Sequence, residues 1–324
     1  MDTLTEVLDN IRSSGALIGQ NLLSPPWAIR REGGASITVV SMLRGEAWLR
    51  RGEADPLRLA PRDLAILTGP GSTLLSSDPA GQVAATCVLT AEGACLEESG
   101  ERLSEGETSL GRVADQAGLD AEHVLLAGSF PTAGRIAGRL LEALPPVLVV
   151  PRDQQRSQAL GLLESELESR EPGQQAVLDR LLDLVLIGAL RDWFALPSTD
   201  VPAWYGAAGD PIVGPALGAL HADPARAWTV ESLAGRARVS RATFARRFAE
   251  VMGEPPISYL TGWRLCLAAD LLQEREDTTE AIARQVGYSS AFAFSAAFTR
   301  EYGVRPSRYR MLSRQPAVSE VAGP

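Results

Sequence analysis

The stretch TVESLAGRARVSRATFARRFAEVM, residues 229–252, reads as two helices around a tight turn. Thr229 stands where an N-cap belongs, Glu231 and Ser232 fall early in the following helix, and Leu233, Ala234 and Ala237 recur at helical spacing. A short turn at Arg238–Ser240 leads into a second helix, Arg241–Met252, whose Phe244 and Phe248 lie four residues apart on one inward stripe. The pattern returns in TTEAIARQVGYSSAFAFSAAFTREY, residues 278–302. There Ile282 and Val286 point inward, the turn is Gly287–Ser289, and Phe294 and Phe298 again lie four apart in Ser290–Tyr302. A long helix, Ile257–Gln273, carries Tyr259, Leu260, Trp263, Leu267 and Leu271 between the copies. Two copies of one helix-turn-helix unit joined by one helix form an internal repeat. The chain is predicted helical from Asp210 to about Arg314.

In a helix-turn-helix unit the second helix enters the major groove, about 12 Å wide, so its inner face must be apolar and its outer face polar. In the first unit this leaves Ser240, Arg241, Ala242, Ala245, Arg246 and the sides of Thr243 and Arg247 facing solvent or DNA. Arg246, mid-helix, is the candidate for a bidentate contact with a guanine edge. Ser240 and Arg241, at the helix start, suit phosphate contacts that set register. The alternative, a plain solvated face, fits the charge alone as well. The whole chain carries a formal net charge of −9. Residues 221–314 nevertheless hold 14 arginines against 10 acids, so the acid excess lies elsewhere. Such asymmetry fits one module for DNA and one for another task. No lysine occurs in the sequence.

From His221 to Arg310 the chain resembles the DNA-binding domain of the AraC/XylS family of bacterial regulators. The residues that carry the likeness are Trp263-Arg264, Ala268-Ala269 to Leu272, Ile282-Ala283, Val286-Gly287-Tyr288, Phe294, Phe298, Tyr302 to Ser307, and Tyr309-Arg310. The resemblance implies base-reading positions at Ala242, Ala245 and Arg246 in the first unit and at Ala291, Phe292 and Ala296 in the second, with Ser289, Ser290 and Arg300 beside them. The second set lacks the polar side chains the family often places there. Phe292 either packs on thymine methyls or belongs to the domain core. Arg246 is therefore expected to supply most direct readout, and the second unit shape and backbone contacts.

The first part of the chain reads differently. Short apolar or alternating runs, Ser36–Leu43, Glu46–Arg50, Asp63–Thr68, Thr73–Ser76, Val83–Thr90 and His123–Ala127, alternate with Gly/Pro/Asp turns, which predicts an antiparallel sandwich or barrel. Gly93–Glu107, acidic and Gly/Ser-rich, reads as a surface loop. Leu22–Ala28, Leu43–Leu49, Asp63–Leu67 and Leu140–Pro146 resemble the cupin-like sensor domain of a subgroup of the same family. Metal-binding cupins rely on histidines in their strands, whereas the two histidines here, His123 and His221, are far apart, so no metal and no cofactor is expected. After Asp153 helical spacing takes over at Leu160, Leu163 and Leu167 and again over Val177–Phe194. There Leu178, Leu181, Leu182, Val185, Leu186 and Ala189 make a face wider than a typical surface helix needs, which predicts burial against both its own domain and a second subunit, with a single intramolecular docking as the alternative. Leu196–Gly209 has a linker composition.

The fold class is thus α+β multidomain. Residues 1–150 are expected to form a closed cupin-like β-barrel, 151–209 a helical dimerisation segment and linker, 210–314 an all-α domain with two helix-turn-helix units, and 315–324 a disordered tail. Cys87, Cys95 and Cys266 are too few and too irregularly spaced for a disulfide framework or a zinc site. Cys87 and Cys95, eight residues apart, leave a redox sensor as an alternative, which would need an exposed thiolate. An effector site, if a small molecule binds, is expected near Trp27, Val39, Trp48 and Ile66. The expected partners are double-stranded promoter DNA, a second copy of the chain, an unidentified small-molecule effector and, for an activator, RNA polymerase. Met1–Gly19 has neither the layout of a leader nor a run long enough to span a membrane, so the cytoplasm is the expected compartment. A cupin-class enzyme would need a metal triad or acid–base pair in the barrel, and no cluster of His, Asp and Glu supplies one. A constitutive architectural DNA-binding protein, with no effector response, is the third reading.

Overall fold

The computed structural model describes residues 19–32, 36–69, 71–89, 95–96, 122–131, 134–136, 138, 144–167, 171–197 and 201–314. Most of the Gly93–Glu107 loop and the 315–324 tail lie outside the described residues. The chain divides into a β-rich unit up to Asp200 and a helical unit from Val201, the latter also holding Gly134–Arg139.

The β-rich unit is built from eleven strands among the described residues: β1 (Gly19–Leu23), β2 (Ala28–Arg31), β3 (Ser36–Arg44), β4 (Ala47–Arg51), β5 (Leu57–Leu59), β6 (Leu64–Leu67), β7 (Thr73–Ser76), β8 (Cys87–Leu89), β9 (Cys95–Leu96), β10 (His123–Pro131) and β11 (Val147–Val150). They form a five-stranded sheet, β1-β10-β3-β6-β11, and a six-stranded sheet, β5-β4-β7-β2-β8-β9. The expected closed barrel is corrected to these two open sheets, since among the described residues no ladder joins the edge strands of one to the other. Alternation explains the facing: Val40, Met42, Ala65, Leu67, Leu125 and Ala127 of the first sheet share a core with Trp27, Ile29, Leu49, Leu75 and Cys87 of the second. The other face of the first sheet, including Val39 and Ile66, is also buried, which is why β3 has the adjacent apolar pair Val39-Val40 rather than a strict alternation.

Helices α1 (Ala159–Leu167) and α2 (Gln174–Phe194) belong to this unit and pack on each other. Leu182 of α2 lies so close to β10 that a Cβ on Gly128 would come within 2.6 Å of it. Glycine is required there by close approach rather than by a turn. The inward face of α2, Leu178, Leu182, Val185, Leu186, Ala189 and Leu190, is buried, while Val177 and Leu184 are exposed and Leu181 half-exposed.

The helical unit contains α3 (Ala203–Ala207), α4 (Gly214–Ala222), α5 (Val230–Arg236), α6 (Arg241–Met252), α7 (Pro256–Glu274), α8 (Thr279–Gln285), α9 (Ala291–Tyr302) and α10 (Pro306–Arg314). Helix α3 falls inside the stretch whose composition predicts a linker. The core is double. Phe244 and Phe248 pack with Leu217, Leu220, Leu233, Tyr259 and Leu260, while Phe294 and Phe298 pack with Leu265, Ala268, Leu272, Ile282 and Val286. Helix α7 contributes to both and so ties the two helix-turn-helix units together. Full burial of each phenylalanine contributes roughly 1.5–3 kcal/mol, which makes the four-residue spacing the main determinant of each unit.

Cys87 is disulfide-bonded and buried in the sheet core, and Cys266 is free. The expectation of no structural disulfide is corrected at Cys87. β8 and β9 pair antiparallel with Leu89 opposite Cys95, a contact that spacing along the chain does not reveal. The side chain of Cys95 lies outside the described residues.

Candidate nucleic-acid interface

In the first unit α5 begins at a reciprocal cap. Thr229 Oγ1 accepts from the Ser232 N–H at 3.1 Å and Ser232 Oγ from the Thr229 N–H at 3.0 Å. Helix α5 ends in a Schellman turn: Val239 N–H donates to the Ala234 carbonyl at 3.1 Å and Arg238 N–H to that of Gly235 at 3.2 Å. Ser240 then caps α6, accepting from Thr243 N–H at 3.2 Å, with its hydroxyl 2.8 Å from that of Thr243. The hydroxyls of Ser240 and Thr243 thus serve the helix start first. Arg241 and Ala242 are exposed, while Thr243 and Ala245 are half-buried. The Arg246 side chain is 75% exposed and lies 3.7 Å from Glu250, and the Arg241 side chain is 70% exposed and lies 3.0 Å from Glu231. Exposed pairs of this kind contribute about 0–1 kcal/mol, so neither carboxylate holds its arginine firmly.

Arg247 is held differently. Its Nε and Nη2 both donate to Asp210 Oδ2, at 2.9 and 2.7 Å, and that carboxylate holds the guanidinium above its usual range. Asp210 Oδ1 also accepts from the N–H groups of Ile212 and Val213, at 2.9 Å each. Burial alone would raise the Asp210 carboxyl, yet these N–H groups and Arg247 outweigh it and hold the carboxyl below the ordinary range. Of the three arginines on α6, Arg241 and Arg246 present their heads outward and Arg247 anchors the helix to the segment before α4.

The second unit repeats the construction. Thr278 caps α8 by accepting from Ala281 N–H at 3.2 Å, and Ser290 caps α9 by accepting from Ala293 N–H at 3.2 Å. The turn closes with Tyr288 N–H on the Ala283 carbonyl at 2.8 Å. Ser289, Ala296 and Arg300 are exposed and Ala291 is half-buried. Phe292 is 86% exposed, so its side chain is no part of the domain core and that alternative is closed. The residues expected to contact DNA therefore lie on the second helix of each unit, α6 and α9, and at their caps.

Three residues of the helical unit, to which the sequence reading gave no role beyond the family likeness, fix its geometry. Arg264 on α7 donates to the carbonyls of Pro224 at 2.7 Å and Arg226 at 2.8 Å, fastening the approach to α5. Arg310 on α10 donates to the carbonyls of Leu272 and Asp277, closing the end of α7. Asp270, an acid set among the apolar residues of α7, accepts from the N–H groups of Arg135 and Ile136, and burial pushes its carboxyl up against the pull of those two donors. The Arg135 guanidinium lies 4.9 Å from the Tyr302 ring centroid. The only signal for Asp270 was its charge on an otherwise inward face.

Of the residues expected near an effector, Trp27 is buried in the sheet core and donates through Nε1 to His123 Nδ1 at 3.2 Å, while Trp48 on β4 is half-buried. Cys87 shares the core of Trp27. His221, near the end of α4, bonds Tyr259 Oη through Nε2 at 2.7 Å and stacks on Trp263 at 4.2 Å. Among the described residues no three His, Cys, Asp or Glu side chains gather to hold a metal ion, and no helix is long and apolar enough to cross a membrane.

Residues 2–195 match the cupin family and residues 233–311 match the helix-turn-helix domain family. A Streptomyces lividans protein assigned as an AraC-like transcription regulator is 34% identical over 98% of this chain and 100% of its own length. A Streptomyces antibioticus protein of the same assignment is 33% identical over 96% and 98%. The DNA-binding domain of AdpA, solved with a target DNA, is 33% identical over 33% of this chain and 95% of that one, with a TM-score of 0.31. The chain belongs to the AraC-like family of DNA-binding transcription regulators, with a cupin-like domain preceding its two helix-turn-helix units.

Proposed function

We propose that the chain binds promoter DNA in the cytoplasm as a homodimer, reading each site with α6 and α9, and that its β-rich unit biases that binding in response to a small molecule or stress signal. The observation that carries the reading is the repeated division of each recognition helix. A phenylalanine pair turns inward, and the family's base-reading positions are exposed or half-buried on the other side. Arg246 supplies direct contact with a guanine edge, and Arg241 and the helix N-termini hold phosphates. The second copy docks on the outer stripe of α2, where Val177, Leu181 and Leu184 recur at helical spacing, with exposed Leu162 on α1 extending it. The turn at Gly134–Gly138 follows β10 in the chain and packs within the helical unit, which supplies a covalent route for the signal.

The test is selection of bound sequences from a random duplex pool with the full-length protein at fixed salt. A motif with two elements about one helical turn apart is expected. Absence of any motif, both for the full chain and for residues 201–314, would overturn the reading.

A second reading, redox control, is favoured by the disulfide at Cys87, since disulfides in cytosolic proteins are rare and often serve redox sensing. Reduction with dithiothreitol should then change affinity for the selected site, and a Cys87→Ser variant should not respond.

A further inference from the structure

The two recognition helices superpose by their caps and phenylalanines: Ser240 matches Ser290, Phe244 matches Phe294, Phe248 matches Phe298 and Gly253 matches Gly303. In that alignment each arginine of α6 faces an alanine of α9: Arg241 with Ala291, Arg246 with Ala296, Arg247 with Ala297. Ala242 faces Phe292, which is 86% exposed at the second residue of α9. Ala293 and Ala296 are exposed beside it, and the Ser290 hydroxyl is engaged as the cap. The outer face of α9 from Ala291 to Ala297 therefore offers, apart from the short hydroxyl of half-buried Ser295, no side-chain hydrogen-bond donor or acceptor. Arginine, asparagine, glutamine and acid side chains discriminate bases by hydrogen bonds, and none is present.

A major-groove edge carries one apolar group that such a surface can recognise, the C5-methyl of thymine. Resting on the proposal that α9 enters the groove, we infer that Phe292, flanked by Ala293 and Ala296, is a reader of pyrimidine C5-methyl groups. The second element of the site is then defined by thymine, and 5-methylcytosine, which presents the same methyl, substitutes for thymine in this contact. A large phenyl ring held in water gains from leaving it, and a methyl-bearing step lets it do so without desolvating a donor or acceptor that the face around Phe292 has no means to satisfy. The first element, facing Arg246, is defined by guanine instead. The operator is thus chemically asymmetric, hydrogen-bonded at one end and apolar at the other.

The experiment starts from a duplex selected by the full-length protein. Each thymine of the second element is replaced singly by deoxyuridine, which removes only the methyl, and binding is titrated for the native chain and for Phe292→Ala. The native protein should lose about three- to fivefold in affinity at one or two positions, the worth of a buried methyl. Cytosine at those positions should bind more tightly when replaced by 5-methylcytosine. F292A should bind more weakly than the native chain and be indifferent to the deoxyuridine change, while its guanine preference in the first element stays intact and shows that the variant is folded. Deoxyuridine without effect on the native protein at every position would overturn the inference and leave the regulator reading standing, and so would F292A with undiminished sensitivity. Failure to select any duplex would instead overturn the regulator reading on which this one rests.

Discussion

Arg241 and Arg246 lie five residues apart on α6 and both face outward, and under the proposed function they do different work. Arg241 begins the helix, where backbone N–H groups and the helix dipole already favour a phosphate. Replacing it with alanine should weaken binding to every duplex alike and reduce the dependence of log affinity on log salt by about one. Arg246 lies a turn further on, and Arg246→Ala should cost roughly 1–3 kcal/mol at one base position and relax preference there alone. Titrations over several salt concentrations with matched and single-mismatch duplexes separate the two, and equal losses at all positions for both variants would refute the assignment. Asp210 carries a prediction of its own. Because its carboxyl is held below the ordinary range when folded, the stabilisation it gives is complete above the unfolded pKa, about 4, and is lost as pH falls through the native value. Thermal unfolding of the native chain should therefore fall more steeply below about pH 4 than that of Asp210→Asn. The outward arginines were legible in the sequence because helical period fixes their side. The anchoring of Arg247 was not, since its partner lies 37 residues earlier, before α4.

At the scale of elements, the two helix-turn-helix turns solve one problem with different residues. Both end the first helix with a left-handed residue, Arg238 at φ 55° in the first unit and Gly287 at φ 88° in the second. Glycine enters that region without penalty, whereas another residue strains there by about 1–2 kcal/mol. Gly287 is further constrained, because an added Cβ would come within 2.7 Å of the Ala225 carbonyl oxygen. Gly287→Ala should therefore destabilise the helical unit by more than the conformational strain alone, while Arg238→Gly should cost little or stabilise slightly. Chemical denaturation of the two variants tests this, and an unchanged midpoint for Gly287→Ala would contradict it. Helices with repeated caps and phenylalanines were legible from local spacing, and so was α2 from its apolar stripe. The strands were partly legible: β7 coincides with its expected run, whereas only the end of Val83–Thr90 is strand and β10 runs on to Pro131. β10 pairs along its length with β1 and β3, so partners distant in sequence, not local alternation, set its limits. For the same reason, turn chemistry left sandwich and barrel both open, since it does not say whether the edge strands pair.

For the whole molecule the decisive question is what covers the outer stripe of α2. Leu182 and Leu184 are two residues apart on one helix and in opposite situations, the first fully buried against β10 and the second 51% exposed. Leu182→Ala removes packing on both the helix and the sheet and should destabilise the fold by about 2–5 kcal/mol. Leu184→Glu alters a side chain that is already half in solvent, so the melting temperature should move far less than in Leu182→Ala if the chain works alone. If the stripe is the seat of a second copy, a buried carboxylate without a counter-charge forbids the contact. Analytical ultracentrifugation should then show a dimer for the native chain and a monomer for L184E at the same concentration. Two linked subunits bind a paired site more tightly than either alone, by about 10²–10⁴ where both half-sites are reached together. L184E should therefore lose affinity for a duplex carrying two sites while binding a single site as the native chain does. A native chain that sediments as a monomer, or an L184E variant that remains dimeric, would exclude this face as the interface and leave its exposed leucines to another partner.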